Sequence, residues 1–225
     1  MASISVETAG AGTARTGALL AACVAGHGSA SHPWFAGEAL LAGPDWVRDL
    51  ADAIHFLCVL HGRHPGVVDL AAARIVDQPA RAWLEAAGAA MAGERRYLAR
   101  LNVAAGPLPG TPGGAASETA ILAQRSALAT LAQSDRKGCA LGAALAFAAD
   151  WAAIRTLLDS AAARLGIDRP SCRLGTAADL AAVADRAGAT PPAERALLFG
   201  AEQLALQHRG LWDLLEARAQ ARGEA

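Results

Sequence analysis

Residues 138–154 read GCALGAALAFAADWAAI. Every position is apolar or glycine except Asp150, the only charge in the stretch. A helix that is apolar on every face is normally the buried centre of a globular fold, not a surface element. Gly138, Ala140, Gly142, Ala143 and Ala144 are small enough to let neighbouring helices approach closely. The stretch therefore predicts a central helix, running to about 165, wrapped by others. It also places one carboxylate inside that core. An unpaired polar group there costs roughly 2–7 kcal/mol depending on the reference state, so Asp150 requires a partner or a purpose.

The rest of the chain agrees with a helical surround. Alanine, the best intrinsic helix former, supplies about a quarter of the 225 residues. Period-two runs of Val, Ile, Thr and aromatics are absent, so no strand is predicted. Residues 1–13, rich in Gly, Thr and Ser, read as a disordered N-terminal segment, and 14–225 as a single all-helical domain. Helices are predicted over about 14–26, 45–61, 66–76, 79–102, 117–134, 138–165, 176 onward and 190–218. Gly43-Pro44-Asp45 starts the second of these, Ser117 caps the fifth and Thr176-x-x-Asp179 reads as a capping box. A loop is expected through His32 and Pro33. Another is expected at 106–114, GPLPGTPGG, where three prolines forbid continued helix. The fold class is all-α, a single irregular bundle of about eight helices. Its helix count and uneven lengths resemble a haem-oxygenase-like architecture, an analogy that carries little weight on function.

Charge mostly excludes partners. A net charge of -1 gives no reason to expect nucleic acid or an anionic membrane. Lys137 is the only lysine, and the arginines are scattered, Arg95-Arg96 being the densest group. Cys23, Cys58, Cys139 and Cys172 are far apart and form no Cys-x-x-Cys pair, so they read as reduced thiols in the cytoplasm. Leu20-Ala21-Ala22-Cys23 matches a lipidation pattern, but Glu7 precedes it and the early basic cluster and long apolar run of a leader are missing. The apolar run 138–149 is shorter than the roughly 20 residues a bilayer span takes.

Five helical stripes carry polar residues among apolar ones, and these are the candidate ligand-binding residues: His55, Glu94, Gln124, Arg125, Asp150 and His208. Glu94 continues the stripe Leu84, Ala87, Met91, Leu98 and Leu101, and Gln124 interrupts Ile121, Leu128 and Leu131 with Arg125 beside it. His208 lies among Leu204, Leu211 and Leu215. Each has a structural alternative, since long side chains at stripe edges reach for water and core histidines are often satisfied by packing. Buried charges are usually paired, and Arg125 is the expected partner of Asp150. If the stripes meet, His55, Glu94, Asp150 and His208 face one interior volume with the 106–114 loop at its edge.

Other motifs say less. Asp52 and His55 form an Asp-x-x-His pair that resembles half of a carboxylate-bridged metal site, but no second copy exists. His61-x-x-His64 lies at a helix end, where solvent is expected to be near. Neither is expected to bind metal, and no cofactor is identified. The 106–114 loop lacks a phosphate-cradle pattern and reads as a rigid connection or as the rim of a pocket. No Ser/His/Asp or Cys/His catalytic arrangement can be proposed.

The stretch LNVAAGPLP at 101–109, the following AILAQRSALATLAQSDRKGCALGAALAFAADWAAIR and the earlier DLADAIHFLCVLHGRHPG together resemble an uncharacterised alphaproteobacterial family, a domain of unknown function. The resemblance implies a cytoplasmic bacterial protein and supplies no activity. The preferred functional reading is a cytoplasmic helical protein that binds a small, largely apolar molecule in a central semi-polar pocket. One alternative is a helical enzyme, metal- or haem-dependent, using Glu94, Asp150 and a histidine. The other is a structural or interaction domain without a ligand.

Overall fold

Helix α8, Cys139–Leu165, occupies the middle of the molecule, and along its first half nearly every side is covered by a neighbour. The computed structural model describes residues 15–37 and 39–224, and the segment read as disordered, 1–13, lies outside them. The described residues are helical with no strand, so the protein is all-α. In chain order the elements are α1 (Arg15–His27), a 3-10 turn (Ser29–Ser31), α2 (Pro33–Ala36), α3 (Ala39–Ala42), α4 (Trp46–His61) and α5 (Val67–Ala72). They continue with α6 (Gln78–Ala104), α7 (Gly114–Ala132), α8, α9 (Ala177–Ala187) and α10 (Pro191–Gly223).

Local chemistry explains most boundaries. Asp77 caps α6 by accepting from the Ala80 amide at 3.1 Å, with Pro79 in the first turn, where a missing N–H costs nothing. Thr176 and Asp179 form the predicted reciprocal capping box. Three expectations need correction. The loop through 32–33 is instead a 3-10 turn followed by short α2, with the His32 side chain accepting from the Trp34 amide. Helix α7 starts at Gly114, before Ser117, because Gly113 adopts a left-handed conformation (φ 72°) that turns the chain straight into the helix. Helix α5 ends at Ala72, earlier than the predicted 76.

Backbone proximity makes α8 and α10 the axis of the fold. A Cβ on Gly142 would overlap the Leu197 carbonyl oxygen, and one on Gly200 would overlap the Cys139 carbonyl oxygen. Two helices this close bury Leu141, Leu145, Leu197, Leu204 and Trp212 around their crossing, each such side chain contributing about 1.5–3 kcal/mol of apolar transfer. Helices α1 and α9 pack on one flank, α4 to α7 on the other. The whole of α8, unlike the run 138–149, is long enough to cross a membrane, with a mean hydropathy of 1.4 in its most apolar window; 78% of that window is buried inside the protein, as in a core helix.

Candidate functional site

The inward face of α8 carries Phe147, Asp150, Trp151, Ile154 and Arg155, one stripe at spacings of three and four. Two polar networks start from it. In the first, Asp150 accepts from the Ser29 amide (2.8 Å), the Ser29 hydroxyl (2.6 Å) and Nδ1 of His208 (2.6 Å). Asp150 is 2% exposed and His208 fully buried. Burial pushes the Asp150 carboxyl up, but His208 and the Ser29 donors outweigh it and hold the group below its ordinary value. Arg125, the expected partner, is on a different face: the 3-10 turn brings Ser29 in over Asp150, and α10 brings His208. A Cβ at Gly28 would overlap the carboxylate, so only glycine lets the turn come this close.

His208 spends Nδ1 on Asp150, and its Nε2 has no partner among the described residues. Its ring lies 5.0 Å from that of His61, centroid to centroid, at 75°. His61 Nε2 is also unpartnered, and Phe147 and Trp151 wall the pair. His61 is therefore buried, against the expectation that solvent is near; burial, and then the charge of His208, hold its imidazole well below the usual value. The spacing Leu50, Ile54, Leu57, His61 carries this signal in the sequence, because it is one continuous core stripe. The geometry differs from a catalytic triad, in which histidine stands between serine and aspartate. Here Ser29 and His208 both donate to the same carboxylate.

The second network holds Glu94. Trp151 Nε1 donates to its Oε2 at 2.9 Å and Arg155 Nη1 to its Oε1 at 2.8 Å. Arg155 continues to Asp159 (2.9 Å) and the Pro170 carbonyl, and its guanidinium lies 4.3 Å from the centre of the Tyr97 ring. Tyr97 donates to Asp159 at 2.8 Å. Both Glu94 oxygens are thus engaged, and the arrangement ties α6 to α8. Arg155 was legible as the next step after Phe147 and Trp151; Ser29, in a turn 121 residues from Asp150, carried no signal.

A groove of about 390 Å³ lies on the other side of α4, bounded by the ends of α6 and α7 and by the 106–114 loop. Phe56, Val59, Leu108, Ile121 and Leu122 form its apolar walls, and His55, Cys58, Arg63, Asn102, Glu118 and Arg125 its polar ones. His55 Nε2 donates to the Gly106 carbonyl at 2.8 Å, fixing the start of the loop. Burial raises the Cys58 thiol, so it is not an activated nucleophile. The loop is fastened from α10 as well. Arg218 bonds Asp52 at 2.9 and 3.0 Å and Thr111 at 3.2 Å, while Arg222 bonds Thr111 at 2.9 Å and also reaches Asp52 and Asp49. The Asp49 carboxyl stays above its ordinary value because burial outweighs Arg222. Asp52, read as half of an Asp-x-x-His pair, is an anchor for these arginines.

The six candidate residues thus divide. Glu94, Asp150 and His208 lie in the packed interior, and His55 and Arg125 line the groove. Gln124 sits between α7 and α10, its amide nitrogen 2.8 Å from where a Gly210 Cβ would be. The expected convergence on one central volume gives way to two separate places, because α4 stands between them. Among the described residues no cluster of three metal-ligating side chains occurs.

An all-α protein with a polar seam through its core and a semi-polar groove on one flank is the class that fold and site define. The chain belongs to a family of unknown function, DUF6975, matched over residues 24–223. No curated protein and no solved structure matches it.

Proposed function

We propose that this is a cytoplasmic bacterial protein that binds a small, largely apolar molecule in the groove between α4, α6, α7 and the 106–114 loop. The observation that carries the reading is the groove itself. Its volume of about 390 Å³ falls within the range of small-molecule sites, and apolar walls with a few convergent polar groups are what such sites present. Four free cysteines agree with a reducing compartment. The enzymatic alternative has less support, because Glu94 and Asp150 spend their oxygens on structural donors. Binding of the neutral fluorescent probe N-phenyl-1-naphthylamine tests the proposal. Emission should rise with wild-type protein and fall back in Ile121→Trp or Val59→Trp, which fill the groove while circular dichroism stays helical. A probe that ignores both substitutions, or never binds, rejects the groove as a site.

A further inference from the structure

Resting on that reading, we infer that the groove selects an anion: its ligand is a small apolar carboxylate whose acid group is held by Arg125, with Arg63 adding positive potential at the rim. The reason is a missing partner. Arg95, Arg125, Arg155, Arg209, Arg218 and Arg222 are the arginines with at least partial burial whose side chains are described. Arg95, Arg155, Arg218 and Arg222 each meet a carboxylate, and Arg209 meets the Ser31 hydroxyl. Arg125 alone has neither a hydrogen-bond partner nor an aromatic face among the described residues, and it is the one that lines the groove. A guanidinium without a protein partner is free to take a ligand, and its flat fork of donors matches a carboxylate bidentately.

A second orphan stands in the same groove. The side-chain oxygen of Asn102 is buried without a partner among the described residues. An amide offers an acceptor and, after a half-turn, a donor, so this wall also expects a polar head and not a hydrocarbon alone. Among the described residues Glu118 is the one carboxylate on the rim, exposed and unpaired, against the two guanidiniums of Arg63 and Arg125. Two guanidiniums against one carboxylate leave the lining with an excess of positive charge, which favours an anion over a neutral head. The tail of the ligand lies against Phe56, Val59 and Ile121.

Competition against the neutral probe separates this inference from the one beneath it. Decanoate and 1-decanol carry the same chain, and the alcohol is the more hydrophobic of the two. Burial alone therefore favours 1-decanol, whereas a charge-assisted contact to Arg125 favours decanoate by about tenfold in displacing concentration. Arg125→Met should bring decanoate to parity with or below 1-decanol and leave 1-decanol unchanged, and Arg125→Lys should keep part of the preference. Equal displacement by the two compounds in wild-type protein, a measurement that needs no variant, overturns the inference while the groove stands. So does a preference that survives in Arg125→Met. If neither compound displaces the probe, the groove reading falls as well.

Discussion

His208 Nδ1 and Asp150 Oδ2 lie 2.6 Å apart, in an interior where neither residue has appreciable contact with solvent. Their pairing joins the two helices that form the axis of the molecule, and Ser29 closes the carboxylate from above. Removing either partner leaves the other buried and uncompensated. We expect Asp150→Ala or His208→Ala to cost about 3–5 kcal/mol. Asp150→Leu combined with His208→Phe should cost clearly less than the sum of its single changes, as read from urea unfolding. Strict additivity would show that the two do not act together.

Acid should act first through His61. Its folded-state pKa lies well below 6.5 because burial and the neighbouring His208 oppose protonation. Between that depressed value and 6.5 the unfolded chain binds a proton that the folded chain does not. Stability is therefore complete above about pH 6.5 and is lost as pH falls below it, with a slope approaching about 1.4 kcal/mol per pH unit. In His61→Phe this part of the slope between pH 6.5 and 5.5 should vanish. A variant with the wild-type slope would assign the titration elsewhere.

The helical class and the place of Asp150 were legible in residues 138–154, because an all-apolar run shorter than a bilayer span belongs in a protein core. The partner of Asp150 was not. A stripe fixes which face of a helix turns inward, but not which helix meets it. Arg125, set in a stripe of its own, was the expected partner, yet a turn at Ser29 and a histidine 58 residues on complete the pair. The groove was half legible: His55 and Arg125 were marked by their stripes, while Asn102, at the end of α6, follows from no periodicity. The helix at 33–36 was hidden for another reason, since four residues carry too little periodicity to be read.

Glycine substitutions should separate packing from propensity. Gly142→Ala and Gly200→Ala place a methyl against backbone carbonyls that cannot yield without moving a whole helix. Each should cost about 1–3 kcal/mol or more. Gly26→Ala meets nothing within 4 Å inside α1 and should stabilise by about 0.5–1 kcal/mol. Thermal or urea unfolding reads all three; a neutral Gly142→Ala would refute the close α8–α10 crossing.

Arg218 and Arg222 should govern the order of the 106–114 loop. Arg218→Ala removes bonds to Asp52, Thr111 and the Pro109 carbonyl together. Hydrogen–deuterium exchange of peptides covering 106–114 should then accelerate, while those of α8 stay protected. Unchanged exchange in the loop would mean that His55 and the prolines hold it unaided.

The clamp between α4 and α10 also sets a schedule for synthesis. Asp52 waits for Arg218, made 166 residues later. At about 5–20 residues per second, that is an interval of roughly 8–33 s on the ribosome. Throughout it, two carboxylates on α4, Asp49 and Asp52, lack the arginines that pair them in the folded protein, and water is their best solvent. Burying them before those arginines exist would leave uncompensated charges, so that face should stay wet until α10 is made. The final turns of α10, once made, turn that wet face into interior.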